Sequence, residues 1–224
     1  MEELREDYGW KHLFRDRTQA GKELGELIKK SFHIENPVIL ALPRGGVIIA
    51  KEVGHSLGLP FDVVISRKIG APDHPEFGLG AISENGMAFF NPEVLSYYDQ
   101  SDPTVQDTIL REKEELQRRI RLYRGGRKLR SMDGKNIIVV DDGLATGSTA
   151  VAAAQFLRTL HPDSIFLAVP VGPSQVSTAI KINYDHVICL HRIKNLVSVG
   201  MWYQKFDQVT DEEVLKELVA TKTF

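Results

Sequence analysis

The chain has 224 residues, of which 42% are hydrophobic and 26% are charged, and its formal net charge is −2. These values are typical of a globular protein and exclude the disordered and collagen-like classes. The balanced charge predicts no general affinity for nucleic acid, and no apolar run is long enough to span a bilayer. Acidic residues rather than a signal peptide follow Met1, and the single Cys189 permits no intramolecular disulfide. We therefore expect one cytoplasmic domain over residues 1–224, without membrane contact.

The first predicted elements are a helix, a buried strand and a glycine loop. Hydrophobic residues at helical spacing predict a helix over residues 14–32, with Asp16 or Thr18 as its N-cap. The apolar run Val38 to Leu42 predicts a strand, and a loop and a second helix follow it. Backbone N–H groups at a helix N-terminus, beside a fixed positive charge, form an anion site, although the same loop is also a common turn. This predicted anion loop consists of Arg44, Gly45 and Gly46.

A third strand is predicted over Phe61 to Ser66, and it ends at the adjacent cations Arg67 and Lys68. Two cations at the end of a strand suit an anion such as pyrophosphate, and a solvated strand terminus is the structural alternative.

Glycine and proline interrupt the chain from Gly70 to Pro103, which predicts a loop region with short strands. Asn85-Gly86 lies between two apolar segments and predicts a hairpin with a type I′ turn. A helix is predicted over residues 102–123, with a strongly charged outer face. Its arginines suggest RNA binding, but neighbouring glutamates partly neutralise them, so we expect no nucleic-acid partner.

The segment from Asn136 to Ala150 combines a strand, two acids and the start of a helix. The apolar run 137–140 predicts a strand buried on both faces, so Asp141 and Asp142 must lie at its carboxyl end, where open α/β sheets bind ligands. Small residues, hydroxyls and the free N–H groups of a helix N-terminus then form a phosphate-binding loop. This predicted phosphate loop consists of Ala145, Thr146, Gly147, Ser148 and Thr149.

Strands and helices alternate along the rest of the chain, with strands predicted over 165–169 and 187–190 and a last helix capped by Thr210. This alternation indicates right-handed crossovers and a mostly parallel sheet. The aromatic residues Trp202 and Tyr203 lie in a segment without clear periodicity, where they either stack on a base or pack in the core.

The run from Val139 to Thr149 resembles the motif that binds phosphoribosyl pyrophosphate (PRPP) in type I phosphoribosyltransferases, and it is especially similar to the version in adenine phosphoribosyltransferases. The opening residues Phe14 to Arg17 resemble the start of a group of stand-alone predicted phosphoribosyltransferases. The resemblance implies an α/β fold whose mostly parallel, twisted sheet carries helices on both faces, with a hood or lid formed by an insertion at about residues 70–130. It also implies a homodimer. The alternatives for the segment of this insertion from Gly70 to Pro103 are a purely structural excursion and a dimer contact.

The resemblance also implies a role for each predicted site residue. Asp141 and Asp142 would hold the ribose hydroxyls and bind Mg²⁺, the expected cofactor, through water. The phosphate loop would bind the 5′-phosphate, and the anion loop and the catalytic cations Arg67 and Lys68 would act on the pyrophosphate. The candidate acceptor contacts, Trp202 and Tyr203, rest instead on the ability of an exposed aromatic ring to stack on a base.

The reaction implied is the Mg²⁺-dependent transfer of ribose 5-phosphate from PRPP to a nitrogenous base or amine in nucleotide metabolism, with release of pyrophosphate. Ala145 occupies the position at which hypoxanthine-guanine enzymes of the family have an acid/base Asp, and alanine cannot move a proton. This argues against a 6-oxopurine acceptor and leaves an aminopurine or another amine open. The alternative function is a non-catalytic, PRPP-binding regulatory module.

Overall fold

The computed structural model describes residues 12–74, 77–90 and 97–221. Residues 1–11, on which the expectation about a signal peptide rests, lie outside these ranges, as do residues 75–76 and 91–96 of the insertion. In chain order the elements are α1 (Arg17–Ser31), β1 (Pro37–Ala41), α2 (Gly45–Leu57), β2 (Phe61–Val63), β3 (Arg67–Gly70), β4 (Gly78–Ile82), β5 (Ala88–Phe90), α3 (Pro103–Arg124), β6 (Asn136–Val140), α4 (Ser148–Arg158), β7 (Ser164–Pro173), α5 (Thr178–Asn183), β8 (His186–Ile193), a 3-10 helix (Gly200–Trp202) and α6 (Asp211–Ala220).

The main sheet has five strands in the order β2-β1-β6-β7-β8, and every neighbouring pair is parallel. The chain moves outward from β1 to β2 on one side and from β6 through β7 to β8 on the other. The strand order therefore reverses between β1 and β6, and in open α/β sheets the crevice at such a switch point binds ligands.

Helices cover both faces of this sheet, as predicted. In β6, Ile138 and Val140 belong to a core shared with α1, α2, α3 and α6, whereas Ile137 and Val139 belong to a second core shared with α4 and α5. Successive side chains of a strand point to opposite faces, so a run of β-branched residues suits a strand that is buried on both. The described helices include none with the length and apolar character needed to cross a bilayer.

The predicted helix starts at Asp16 and Thr210 are confirmed. The Asp16 side chain accepts a hydrogen bond from the backbone N–H of Gln19 at 2.8 Å. Thr210 and Glu213 form a complete capping box at the start of α6, which satisfies two N–H groups that have no partner within the helix.

The prediction of one strand from Phe61 to Ser66 is wrong. Strand β2 ends at Val63, and Arg67 and Lys68 begin β3 of a separate antiparallel sheet with the order β3-β4-β5. The Val64 N–H still donates to the Ala41 carbonyl of β1, but the next two residues have partners outside the main sheet. The Ile65 N–H donates to a carboxylate oxygen of Glu84, and the Ser66 hydroxyl donates to the Thr149 carbonyl. Apolar character alone does not distinguish such a connection from a strand.

The predicted hairpin is confirmed, but the prediction that its turn is of type I′ is wrong. Strands β4 and β5 pair antiparallel around a three-residue loop, Glu84 to Gly86. A type I′ turn needs positive φ at both central residues, whereas Gly86 has φ +82° and Asn85 does not lie in the positive region. The Asn85 side chain instead bonds to the Ser83 hydroxyl and the Met87 N–H within the loop.

Helix α3 buries its predicted apolar stripe and carries many of its arginines in ion pairs. Arg118 and Arg119 both bind Glu115. Arg124 is 3% exposed and donates to Glu84, which is 8% exposed. Burial raises the pKa of Glu84, and the guanidinium opposes that shift. This buried pair joins the end of α3 to the β4–β5 loop. The expectation that the arginines of α3 bind no nucleic acid stays a prediction.

Breaking this pair should be more harmful than removing both charges. Glu84→Gln leaves a buried guanidinium that cannot lose its proton, so we expect it to lower the free energy of unfolding by about 3 kcal/mol. The double variant Glu84→Gln, Arg124→Met should cost less than Glu84→Gln alone, as measured by urea denaturation. The exposed Arg121→Met serves as the control, with an expected change of less than about 0.5 kcal/mol. A double variant less stable than Glu84→Gln would contradict this account.

Candidate functional site

The anion loop after β1 and the acid pair after β6 meet at the switch point of the sheet. A Cβ atom added to Gly45 would lie 1.8 Å from Asp142 Oδ2, and one added to Gly46 would lie 2.6 Å from the Val140 carbonyl oxygen. At Gly46 the nearest atoms are backbone, so a larger side chain fits there only if the backbone shifts, whereas at Gly45 they belong to side chains. The two predicted motifs, about 95 residues apart in the chain, therefore form a single site.

The acid pair is partly buried and electrostatically strained. The Asp142 N–H donates to Asp141 Oδ1 at 2.8 Å. Burial, and next the charge of Asp142, raises the pKa of Asp141 well above its usual range. Burial also raises the pKa of Asp142, and the Arg17 guanidinium opposes this shift. Hydroxyl donors or a cation stabilise the charged forms of two neighbouring carboxylates that are removed from water. This position therefore suits a polyhydroxyl ligand or a metal complex.

The predicted phosphate loop runs from the acids into helix α4. Gly147 is the N-cap, with φ +80° and ψ 5°, a left-handed conformation that favours glycine. Ser148 begins the helix, its hydroxyl lies 3.4 Å from that of Thr146, and Ala145 and Thr146 are exposed. The first N–H groups of α4 are oriented to bind an anion.

A pocket of about 320 Å³ opens beside this loop. Its lining comes from two parts of the chain, the acids with the phosphate loop and the segment after β8. The lining residues are Asp141, Asp142, Gly143, Leu144, Ala145, Thr146, Gly147, Thr149, Ala150, Val199 and Phe206. Such a pocket brings an apolar wall next to a phosphate site, as binding of a phosphorylated ring compound requires.

Arg17 belongs to this site and was absent from the residues predicted from sequence. Its Nε donates to Asp142 Oδ2 at 2.8 Å, and its Nη1 donates to the Asp207 carbonyl oxygen at 2.8 Å. The guanidinium carbon lies 3.7 Å from the centre of the Phe206 ring, within cation–π range. The only signal in the sequence was the opening Phe14-Arg15-Asp16-Arg17, for which surface ion pairing was an equally simple explanation.

The structure argues against Tyr203 as an acceptor contact. Tyr203 is 3% exposed, and its ring packs between those of Phe14 and Phe206, with centroid distances of 5.2 and 5.0 Å. Its hydroxyl donates to the Asp142 carbonyl at 2.7 Å, so it supports the acid loop. Trp202 is partly buried in the 3-10 helix, and its carbonyl accepts hydrogen bonds from the backbone at residues 13 and 14. The aromatic residue that lines the pocket is Phe206.

The three predicted cations lie around the site. Arg44 is 3.8 Å from Asp211, and Arg67 Nε donates to Glu112 at 2.7 Å. Lys68 lies in β3 with its side chain close to Gly78. Although Arg67 and Lys68 are not on the main sheet, the contact of Ser66 with Thr149 brings the start of β3 beside the phosphate loop.

The fold and the site define an α/β protein with a phosphate loop and an acid pair at the switch point of a parallel sheet. A family model described as "phosphoribosyl transferase domain" matches residues 10–204, and the chain belongs to this family. A crystal structure of TT1426 from Thermus thermophilus is similar, with 38% identity and a TM-score of 0.75, over 94% of this chain and 99% of that one.

Two curated proteins from Mycobacterium tuberculosis strains, provisionally named phosphoribosyl transferases, are 39% identical over 204 residues. The match covers 91% of this chain and 46% of each relative, so the chain spans about half the length of the curated relatives it matches.

The two glycines of the anion loop should differ in their response to alanine. In Gly46→Ala the new methyl group meets backbone atoms of Val140 and Asp141, so we expect a loss of about 1–3 kcal/mol in the free energy of unfolding. In Gly45→Ala it meets the Asp142 side chain, which is able to rotate away, so the loss should be smaller. Thermal unfolding of both variants measures the difference, and equal destabilisation would contradict the geometry described above.

Proposed function

We propose that the protein is a phosphoribosyltransferase that transfers ribose 5-phosphate from PRPP to a nitrogenous base or amine and releases pyrophosphate. The observation that carries this proposal is that the acid pair adjoins both the anion loop and the phosphate loop at the switch point of the sheet. PRPP carries a 5′-phosphate, two ribose hydroxyls and a pyrophosphate, and the three motifs together offer a complementary group for each of them.

In this proposal each motif binds one part of PRPP. Backbone N–H groups and hydroxyls at Thr146 to Thr149 bind the 5′-phosphate. Asp141 and Asp142 accept hydrogen bonds from the ribose hydroxyls, which stabilises their charged forms. Arg44, Gly45 and Gly46 bind the pyrophosphate. Cleavage at the anomeric carbon develops positive charge on the ribose, and the partly buried carboxylates would stabilise this charge.

The donor set also fits Mg²⁺. Within the described part of the chain, no group of three or more His, Cys, Asp or Glu residues is arranged to hold a metal ion. Mg²⁺ commonly binds one or two carboxylates together with substrate phosphates and waters, and Asp141 and Asp142 supply such a pair, through water in this proposal. When bound, the ion would neutralise charge on the departing pyrophosphate.

The cations serve the leaving group in the same proposal. Arg44 and Arg67 are held by Asp211 and Glu112 and would exchange these carboxylates for phosphate oxygens when PRPP binds. Lys68 would act beside Arg67. We further propose that the insertion at about 70–130 closes over the substrate as a lid, which excludes water from the reacting carbon.

The acceptor would bind between the phosphate loop and the wall formed by Val199 and Phe206. Because Ala145 carries no acid or base, proton transfer to a 6-oxopurine has no donor at that position. An aminopurine or another amine is the acceptor class that we favour. A contact from Trp202, a homodimer and a cytoplasmic location stay predictions.

Release of pyrophosphate tests the activity directly. With PRPP and Mg²⁺ we expect release to depend on one member of a panel of aminopurines, other bases and amines, and to stop when EDTA is added. A coupled pyrophosphate assay follows turnover, and calorimetry follows PRPP binding in parallel. Tight binding of PRPP with no release of pyrophosphate for any acceptor would instead support the function of a regulatory module.

The acid pair can be tested without knowledge of the acceptor. The double variant Asp141→Asn, Asp142→Asn should lower PRPP affinity by about 100-fold or more, because two charge-assisted hydrogen-bonded groups are lost. Cooperative thermal unfolding should persist. The exposed Asp133→Asn is the matched control, with unchanged affinity. An unchanged affinity in the double variant would refute the assignment of the site.

A further inference from the structure

We infer that Arg17 binds the pyrophosphate group of PRPP, and that the Asp142 carboxylate occupies this position until PRPP arrives. This inference rests on the proposed function and adds one residue to it. Arg17 begins helix α1, about 125 positions before its partner in the chain.

The position of Asp142 carries the inference. Its Oδ2 lies where the Cβ of residue 45 would be, 1.8 Å away, and Arg17 Nε is 3.0 Å from that same point. An anion therefore already lies over Gly45 in the anion loop and is paired with a guanidinium. A pyrophosphate that bound over Gly45 would take the place of the carboxylate and meet Arg17.

The guanidinium is held in place independently of Asp142. Its Nη1 donates to the Asp207 carbonyl, and its central carbon lies over the Phe206 ring. When the carboxylate leaves, these two contacts keep Arg17 at the same point. The cation is thus preorganised for an incoming anion, which lowers the cost of binding.

Asp142, in contrast, is free to turn its side chain while its backbone stays fixed. The Asp142 carbonyl accepts the Tyr203 hydroxyl, and its N–H donates to Asp141. A change of side-chain rotamer would move the carboxylate away from Gly45, and the ribose hydroxyls of PRPP would then become its hydrogen-bond donors. Pyrophosphate binding would thereby release the acid that the ribose requires.

The exchange leaves neither Arg17 nor Asp142 without a polar partner. The side chains of Arg17 and Asp142 are only 11% and 17% exposed, so an unpaired charge at either would be costly. A phosphate oxygen on Arg17 and ribose hydroxyls on Asp142 leave both groups satisfied. A ligand that has only the pyrophosphate or only the ribose would leave either Asp142 or Arg17 without a partner.

Three ligands separate this role from a structural one: PRPP, pyrophosphate and ribose 5-phosphate, each titrated calorimetrically with Mg²⁺ present. Arg17→Gln should lower the affinity for PRPP and for pyrophosphate by about tenfold or more, which is the loss expected for a charge-assisted hydrogen bond. Ribose 5-phosphate should bind equally well or more tightly, because Asp142 no longer has a competing partner. Arg17→Lys, which keeps the charge, should fall between Arg17→Gln and the unmodified protein.

The matched control is Arg15→Gln, two positions earlier, where the side chain is 65% exposed and pairs with Asp16; all three affinities should be unchanged. Equal weakening of ribose 5-phosphate in Arg17→Gln would overturn the inference, because Arg17 would then only orient Asp142. Unchanged binding of all three ligands would overturn it as well. If Arg17→Gln fails to fold, the comparison of Arg17→Lys with the control decides. Failure of the unmodified protein to bind PRPP would instead refute the proposed function.

Discussion

The site depends on the close approach of two parallel strand ends, β1 and β6. A Cβ atom on Gly46 would reach the Val140 carbonyl, and one on Gly45 would reach the Asp142 carboxylate. Because β1 and β6 are neighbours and buried on both faces, their charged residues lie beyond the strand ends, where anion loop and acids face each other. The two glycines make this contact possible, and through it the cation of α1 reaches the same point.

Much of the fold follows from the hydrophobic pattern. Continuous β-branched runs predicted the strands of the main sheet, and an apolar stripe predicted α3, because these features depend on the local sequence alone. The predictions failed where tertiary partners decide. Ile65 and Ser66 continue an apolar run but bond to Glu84 and Thr149 rather than to β1. The side chain of Asn85 closes a three-residue loop in place of a type I′ turn.

The site was predictable only where its residues are contiguous. The acids and the phosphate loop occur within one strand, loop and helix, so their arrangement follows from the backbone of that unit. Arg17, Tyr203 and Phe206 come from distant parts of the chain and have no periodicity that points to the pocket. Tyr203 and Phe206 also look alike in sequence, and only packing shows that one supports the acid loop while the other lines the pocket.

The two segments that complete the pocket are held to each other by backbone hydrogen bonds. Phe14 N–H donates to the Trp202 carbonyl, Gln204 N–H donates to the Phe14 carbonyl, and Lys205 N–H to the Arg15 carbonyl. Residues 13–17 and 199–207 thus form one unit beside the acids.

In the proposed reaction the phosphate and anion loops bind PRPP, so their residues contribute little to the discrimination between acceptors. The choice of acceptor would then depend on this paired unit. Its residues Val199 and Phe206 line the pocket, and its Arg17 donates a hydrogen bond to Asp142. Arg17 contacts both Phe206 and Asp142, so in the proposed reaction a change in the packing of Phe206 would reach the acid pair through this guanidinium.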